Sequence, residues 1–287
     1  MHLRLRSFML ASLITAGGAI SAASLGGCTH NPATGRSQFL LLSTEEEIAL
    51  GTEAQPELIQ EYGGEAKSPE LRAYVSEDGN KLAAHVEQQY ADLPWEFTVL
   101  ESDVINAFAL PGGKVFISKG LMNLLSNEAE LAGVLGHEIG HVTAQHINER
   151  VTQALMVQGG VAIAGEATRG SGGWESVIPV VVGIGGQGYL LKFGRNQESE
   201  SDEQGLKYMT AAGYDPAGMM GVLEVLRQAS QGSAPPEFLS THPHPETRIE
   251  TVQALLAGPY AYTQGNPDFT LAEAAYQRRA GPHLTSR

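Results

Sequence analysis

Apolar residues recur at helical spacing over most of this 287-residue chain. Ser43 and Thr44 precede three acidic residues, which is typical of a helix start. Asn127, with Glu130 three residues later, resembles a helix cap and begins a segment whose apolar positions continue to about Val151. The predicted helical segments are 43–61, about 68–90, 127–151, one that begins near residue 196, 216–228, and one or two after residue 248.

Between the second and third of these helices, β-branched and aromatic residues replace the helical pattern. Pro111-Gly112-Gly113 separates two of the resulting runs as a hairpin turn would. The predicted strands are 95–102, 105–110 and 114–118. A mainly helical chain with one small β-sheet belongs to the α+β class.

The N-terminus has the order of a secretory signal peptide. Arg4 and Arg6 precede an uncharged apolar run, 7–27, that ends in LGGC. This ending resembles a bacterial lipobox, so Cys28, the only cysteine, is predicted to be acylated after cleavage before it. An uncleaved membrane anchor is the alternative, but the late half of the run is small and polar, which suits cleavage better than spanning.

Charge and composition change this picture little. The formal net charge is -14, and no basic residues gather into a stripe, so nucleic acid is excluded as a partner. The stretch 29–38 is polar and is interpreted as a linker. The apolar, glycine-rich stretch 153–193 is interpreted as helices or loops beside the active site, and GIGGQG within it lacks the strand–turn–helix setting of a phosphate-binding loop.

The string GHEIGHVTAQH, residues 136–146, carries the candidate chemistry. His137 and His141 are four apart, so a helix places both on one face, where two imidazoles can hold one metal ion. Glu138 points about 100° away and is placed to act as a general base on a water molecule. Two buried core histidines are the alternative.

A third ligand must come from elsewhere, since catalytic zinc usually takes three protein ligands. His146 lies nine residues after His137, about half a turn from its face on a continuous helix, so it is interpreted as a capping or packing residue. The acidic run 198–203 offers Glu198 as a ligand and Asp202, four residues on, as a hydrogen-bond partner of a ligand histidine. A solvated acidic face is the alternative.

GHEIGH followed by ESESD resembles the pattern of the HtpX-like gluzincin zinc metallopeptidases. NPATGRSQ, INAFALPGG, KVFISKGL and STHPHPETR are similar to signatures of their BepA- and LoiP-like periplasmic lipoprotein branch. The resemblance covers roughly residues 30–255, with Ser201 where the family usually has alanine. No helical repeat of the kind found in some members is visible.

The resemblance implies a zincin-type domain with an HExxH active-site helix and one Zn²⁺ per chain, held by His137, His141 and Glu198. It also selects His242 over His244 as a residue that supports the oxyanion or caps the zinc, with Arg248 as a nearby support. The strand INAFAL would bind substrate as an added strand, through Asn106, Ala107 and Phe108, although core packing of this strand is the alternative.

The implied function is a zinc endopeptidase that degrades misfolded or misassembled outer-membrane and periplasmic proteins. It would be anchored by Cys28 on the periplasmic side of the outer membrane, and the assembly machinery of that membrane is a candidate partner. Two alternatives stay open: a chaperone-like assembly factor whose zinc site is gated, with 153–193 as the lid, and a metallohydrolase of other substrates. The predicted organisation is a signal peptide at 1–27, a lipidated linker at 28–42, the peptidase domain at 43–255 and a helical tail at 256–287.

Overall fold

The computed structural model describes residues 27–157, 192–232, 235–243 and 245–284. Residues 1–26 of the predicted signal peptide, most of the glycine-rich stretch and His244 lie outside these residues. None of the described helices is long and apolar enough to cross a membrane.

Helices dominate the described chain, and one three-stranded sheet packs among them. The α+β class is therefore confirmed. In chain order the helices are α1 (Thr44–Glu61), α2 (Pro69–Ala83), α3 (Lys119–Met122), α4 (Glu128–Thr143), α5 (His146–Val157), α6 (Arg195–Ala211), α7 (Ala217–Ala229), α8 (Phe238–Thr241), α9 (Pro245–Ala257) and α10 (Glu273–Arg279). The second helix is shorter than the predicted 68–90, because it ends at Ala83 and a separate 3-10 turn covers Gln88–Tyr90.

The strands are β1 (Gly27–His30), β2 (Ser37–Leu40), β3 (Glu96–Leu100), β4 (Ala107–Leu110) and β5 (Lys114–Ser118). In the sheet of the last three, β5 lies in the middle, parallel to β3 and antiparallel to β4. The predicted hairpin between β4 and β5 is confirmed, and Gly112 and Gly113 adopt the positive φ angles, 75° and 92°, that its turn requires. Among the described residues β4 pairs with β5 alone, so it is an edge strand of the sheet that they form.

The polar stretch 29–38 is not a free linker, and that interpretation was wrong. β1 and β2 pair as an antiparallel hairpin, with Cys28 opposite Phe39. Three side chains tie the hairpin to the rest of the molecule. Asn31 Nδ2 donates to the Thr143 carbonyl at 2.9 Å, and Gln38 Nε2 donates to the Ala144 carbonyl at 2.7 Å. Gln204 Nε2 donates to the Ala33 carbonyl at 2.9 Å. Asn31 and Gln38 are buried by these contacts, whereas Thr29, His30 and Ser37 of the same stretch are exposed.

The predicted continuous helix over 127–151 is also corrected, because α4 ends at Thr143 and α5 begins at His146. Gln145 between them has a φ of 60°, a left-handed conformation that ends the helical ladder. Its side chain donates to the buried Glu47 at 3.1 Å. Since apolar positions continue across the break, periodicity alone could not reveal it.

The C-terminal segment, predicted as a helical tail, packs on the core through α10. Tyr276 is buried, its ring lies 6.3 Å from that of Tyr74, and its hydroxyl donates to the Met122 carbonyl at 2.6 Å. These contacts join the end of the chain to α2 and α3.

Candidate metal centre

Two glycines of the GHEIGH string allow α6 to cross α4 at close range. A Cβ added at Gly140 would lie 2.8 Å from the Ser201 carbonyl oxygen, and one added at Gly136 would lie 3.2 Å from Cα of Gly205. A side chain at either position would push the helices apart. The close crossing brings Glu198 and Asp202 of α6 onto the face of α4 that carries His137 and His141.

Four buried side chains converge at this crossing. Among the described residues, a single group of His, Cys, Asp and Glu side chains has ligand atoms that all lie within 4.8 Å of one another. Its members are His137, His141, Glu198 and His242. The two histidines of α4 face each other through their Nε2 atoms at 3.1 Å. Glu198 lies 3.4 Å from His141 Nε2 and 3.6 Å from His137 Nε2.

His242, just after α8, completes the cluster. Its Nδ1 lies 3.1 Å from Glu198 Oε1 and 3.3 Å from His137 Nε2. Tetrahedral zinc with bonds of about 2.0–2.1 Å separates its ligand atoms by roughly 3.3 Å. The donor set, two to three imidazoles and one carboxylate, and these separations therefore fit zinc.

Asp202 and Arg248 contact His137 at Nδ1, the ring nitrogen that faces away from the cluster. His137 Nδ1 donates to Asp202 Oδ1 at 2.9 Å, so its Nε2 keeps a free lone pair that faces the cluster. Arg248 donates two hydrogen bonds to Asp202. Its Nε donates to Oδ2 at 2.8 Å, and its Nη2 donates to Oδ1 at 2.6 Å. Its remaining terminal nitrogen lies 2.9 Å from Glu198 Oε2. One buried arginine thus braces two acidic members of the site.

Burial and charge favour ionised Glu198 and Asp202 and a neutral His141 at this centre. Burial opposes ionisation of Glu198, but the charges of His242 and Arg248 outweigh it and hold the pKa of Glu198 well below its usual range. Burial holds the pKa of His141 well below its usual range, which leaves its nitrogen free to bind metal. Burial disfavours ionised Asp202 as well, yet Arg248 lowers the pKa of this carboxyl.

Glu138 is the one buried acid of the centre without hydrogen bonds. It is 1% exposed, and neither carboxylate oxygen has a hydrogen-bond partner among the described residues. Burial raises its pKa, although His242 and His137 act in the opposite direction. Its Oε1 lies 3.6 Å from His242 Nε2. A carboxylate with free lone pairs and an elevated pKa is suited to accept and return a proton.

Two phenylalanines, which sequence reasoning missed, form walls of the site. Phe193 stacks on His141 with ring centroids 3.9 Å apart, and Phe238 stacks on His242 at 4.2 Å. Phe193 also joins the segment that carries His242, because its N–H donates to the Thr241 carbonyl at 3.0 Å. No sequence motif marks these residues, since a single aromatic residue beside a loop is common in any core.

The predicted substrate strand lies beside the segment that carries His242. Ala107 is buried, and Phe108 packs between Tyr62 and Phe116. Asn106 Nδ2 donates to Glu237 Oε1 and to the Tyr62 hydroxyl, both at 2.9 Å. The side chains of all three predicted contact residues therefore pack or bond within the chain. The backbone edge of β4 is the part that could form hydrogen bonds with a peptide.

Comparison with known proteins agrees with this centre. The model of peptidase family M48 matches residues 69–256. A beta-barrel assembly-enhancing protease of Yersinia pestis is 32% identical over 229 residues, which cover 76% of this chain and 45% of that protein. The protein of the same name from Escherichia coli K12 is 30% identical over 288 residues, 96% of this chain and 57% of that protein.

A eukaryotic relative shows the same likeness. The mitochondrial metalloendopeptidase OMA1 of Schizosaccharomyces pombe is 31% identical over 229 residues, 78% of this chain and 65% of that protein. This chain spans about half the length of the two bacterial relatives. The family model covers well over half of this chain, including every member of the zinc cluster. The chain therefore belongs to peptidase family M48, as its motifs predicted.

Proposed function

We propose that this chain is a zinc-dependent endopeptidase. The observation that carries the proposal is the pairing of a buried zinc cluster with Glu138, whose carboxylate lies beside the cluster with no hydrogen-bond partner among the described residues. A purely structural zinc site needs no such group, because it has no water to activate.

The chemistry that bound zinc supplies is Lewis acidity, which polarises a peptide carbonyl and lowers the pKa of water. His137, His141 and Glu198 would hold the ion. The Glu138 carboxylate takes a proton from the attacking water and returns it to the leaving amine. Phe193 and Phe238 shield the centre from bulk water, which strengthens its electrostatic interactions.

The substrate proposal rests on the edge strand. A peptide in extended conformation would add to β4 through backbone hydrogen bonds, with Asn106, Ala107 and Phe108 at the contact. Only unfolded or misassembled chains expose such a segment, so misassembled outer-membrane and periplasmic proteins are the proposed substrates. The names of the bacterial relatives support this class.

The proposed location is the periplasmic face of the outer membrane, reached through acylation of Cys28. In support, Cys28 is exposed. Intact-mass measurement of the mature protein tests this directly. A diacyl or triacyl increment on Cys28, absent in Cys28→Ser, is the expected result, and an unmodified cysteine on the mature protein would contradict it.

A gated assembly factor is the second candidate, and the position of His242 favours it. His242 fills a place in the cluster that a substrate would need. Its segment is tied down at Glu237, which accepts from Asn106 Nδ2 at 2.9 Å and from the Tyr62 hydroxyl. Phe238 N–H also donates to the Ile105 carbonyl at 3.1 Å, next to the edge strand.

Digestion of casein by the purified chain separates the two candidates. If the chain is an endopeptidase, it cleaves casein, a chelator stops the cleavage, and added zinc restores it. The matched control is Glu138→Gln with zinc bound. If the zinc-loaded chain leaves casein intact while it still prevents aggregation of an unfolded outer-membrane protein, the assembly factor is the better account.

A further inference from the structure

We infer that His146, Glu200 and Arg36 form a positioning relay that orients the second zinc ligand, His141. None of the three was predicted to serve the metal. The relay lies behind His141, on the side opposite the cluster, and it is built from three separate parts of the chain: the turn of the N-terminal hairpin, the start of α5 and the first turns of α6.

The first link joins two imidazoles. His146 Nδ1 lies 3.0 Å from His141 Nδ1, and both side chains are buried. His141 must present an unprotonated Nε2 to a metal, so its Nδ1 carries the proton and donates it to His146 Nδ1. Ser201 Oγ is a second, longer contact of that same nitrogen, at 3.4 Å.

The second link fixes the tautomer of His146. Because its Nδ1 accepts, its proton sits on Nε2, which lies 2.9 Å from Glu200 Oε2. An ionised carboxylate is the natural acceptor for this proton. The orientation of one imidazole therefore fixes the other: His141 donates to His146, and His146 donates to Glu200, which accepts.

The third link anchors the carboxylate. Arg36 Nε lies 2.7 Å from Glu200 Oε1. The arginine also contacts Glu149 at 3.3 Å, and its side chain is 38% exposed, so this ion pair contributes less than a buried one. The hairpin that carries Arg36 is held in place by Asn31 and Gln38 on the end of α4 and by Gln204 on Ala33.

The two ligand histidines of α4 are thus supported in parallel ways. His137 donates directly to Asp202, which Arg248 grips. His141 is joined to a similar pair, Glu200 and Arg36, but His146 lies between His141 and the carboxylate. On a continuous helix, a residue five positions after His141 would lie about 140° around the axis. The break at Gln145 re-aims His146 back onto His141, which gives the left-handed residue a role in the site.

Zinc affinity tests the relay without reference to peptidase activity. The full chain and its variants are titrated with zinc against a chelator of known affinity, and each variant is checked for folding by circular dichroism. His146→Leu should weaken zinc binding by roughly 10–100-fold, the usual effect of removing a partner of a metal ligand. His146→Asn, whose side-chain oxygen can still accept from His141, should recover part of the loss. His85→Leu, at an exposed histidine, is the matched control and should bind as the parent does.

A second readout separates orientation from general stability. With Co²⁺ in place of zinc, the visible absorption spectrum of His146→Leu should change, whereas a change that only lowers stability leaves the spectrum of the folded fraction intact. Glu200→Ala should weaken zinc binding less than His146→Leu, and Arg36→Gln least of all. Parental affinity and spectrum in folded His146→Leu would overturn the relay. If that variant does not fold, Glu200→Ala decides, and parental zinc affinity there would overturn it equally.

Discussion

His242 Nδ1 lies 3.1 Å from Glu198 Oε1, inside the group of atoms that would hold zinc. The histidine stacks on Phe238, which precedes it on the same short segment. We interpret His242 as a resting-state cap, in which case a substrate reaches the metal only after the segment moves.

His242→Ala should therefore raise peptidase turnover by several-fold and weaken zinc binding, because one of four ligand groups is lost. Casein digestion at saturating zinc measures the first effect, and chelator competition measures the second. His85→Ala serves as the control at an exposed histidine. A fall of about 10²–10³-fold in turnover with zinc affinity unchanged would instead assign His242 to the oxyanion.

Glu198 and Glu200 differ by two residues, yet they serve the site differently. Glu198→Ala should lose stoichiometric zinc, since its carboxylate is a proposed ligand and the buried Arg248 would lose an ion-pair partner. Glu200→Ala should keep one zinc per chain at saturating metal and show only weakened affinity. Metal analysis after gel filtration distinguishes them, and the reverse order of zinc loss would reassign the third ligand.

Gly140 is required for the close crossing of α4 and α6. Gly140→Ala would place its Cβ 2.8 Å from the Ser201 carbonyl, so the unfolding free energy should fall by roughly 1–3 kcal/mol. Zinc affinity should fall as well, because Glu198 and Asp202 move with α6. In Gly281→Ala the new Cβ meets only the flexible Gln277 side chain, at 3.6 Å, and stability should stay near the parent value. Urea unfolding of both variants is the measurement, and equal midpoints would refute the packing role.

Asp78 makes stability fall as the pH rises. Burial raises the pKa of Asp78 to about 7, although the Tyr214 hydroxyl donates to it. Between about pH 4 and 7 the folded chain then binds more protons than the unfolded chain. The stabilisation that protonated Asp78 contributes is complete below about pH 4 and is lost as the pH rises to about 7. Each pKa unit of difference is worth about 1.4 kcal/mol.

Asp78→Asn removes this titration and keeps an acceptor for Tyr214. Its unfolding midpoint should exceed that of the parent chain by more at pH 8 than at pH 5. Urea unfolding at the two pH values measures the difference. A pH-independent gap between the two chains would show that Asp78 is charged in the folded state throughout.

Much of this site was predictable because its chemistry depends on short-range spacing. The four-residue interval between His137 and His141 defines a helix face, and Glu198 and Asp202 share a face for the same reason. The structure brings all four together, and it places Arg248 and His242 against them. The sheet with its hairpin at Pro111-Gly112 was equally visible, since turn residues and β-branched runs are local signals.

What the sequence concealed depends on tertiary contacts. The break at Gln145 leaves no trace in apolar spacing, so His146 was assigned to a distant helix face and its contact with His141 was missed. The stretch 29–38 was interpreted as a linker from its polar composition, which cannot show that Asn31 and Gln38 bond to the C-terminal end of α4. Phe193 and Phe238 likewise acquire their roles only from what they stack against.

The central claim is that Glu138 moves the proton in a zinc-dependent cleavage of peptide bonds. Glu138→Gln removes the base and nearly preserves the shape of the side chain, so the zinc ligands should be undisturbed. Zinc content and casein digestion are measured on the same purified sample. The account predicts one zinc per chain and turnover reduced by about 10²–10⁴-fold. A zinc-loaded Glu138→Gln chain that digests casein at the parent rate would contradict it.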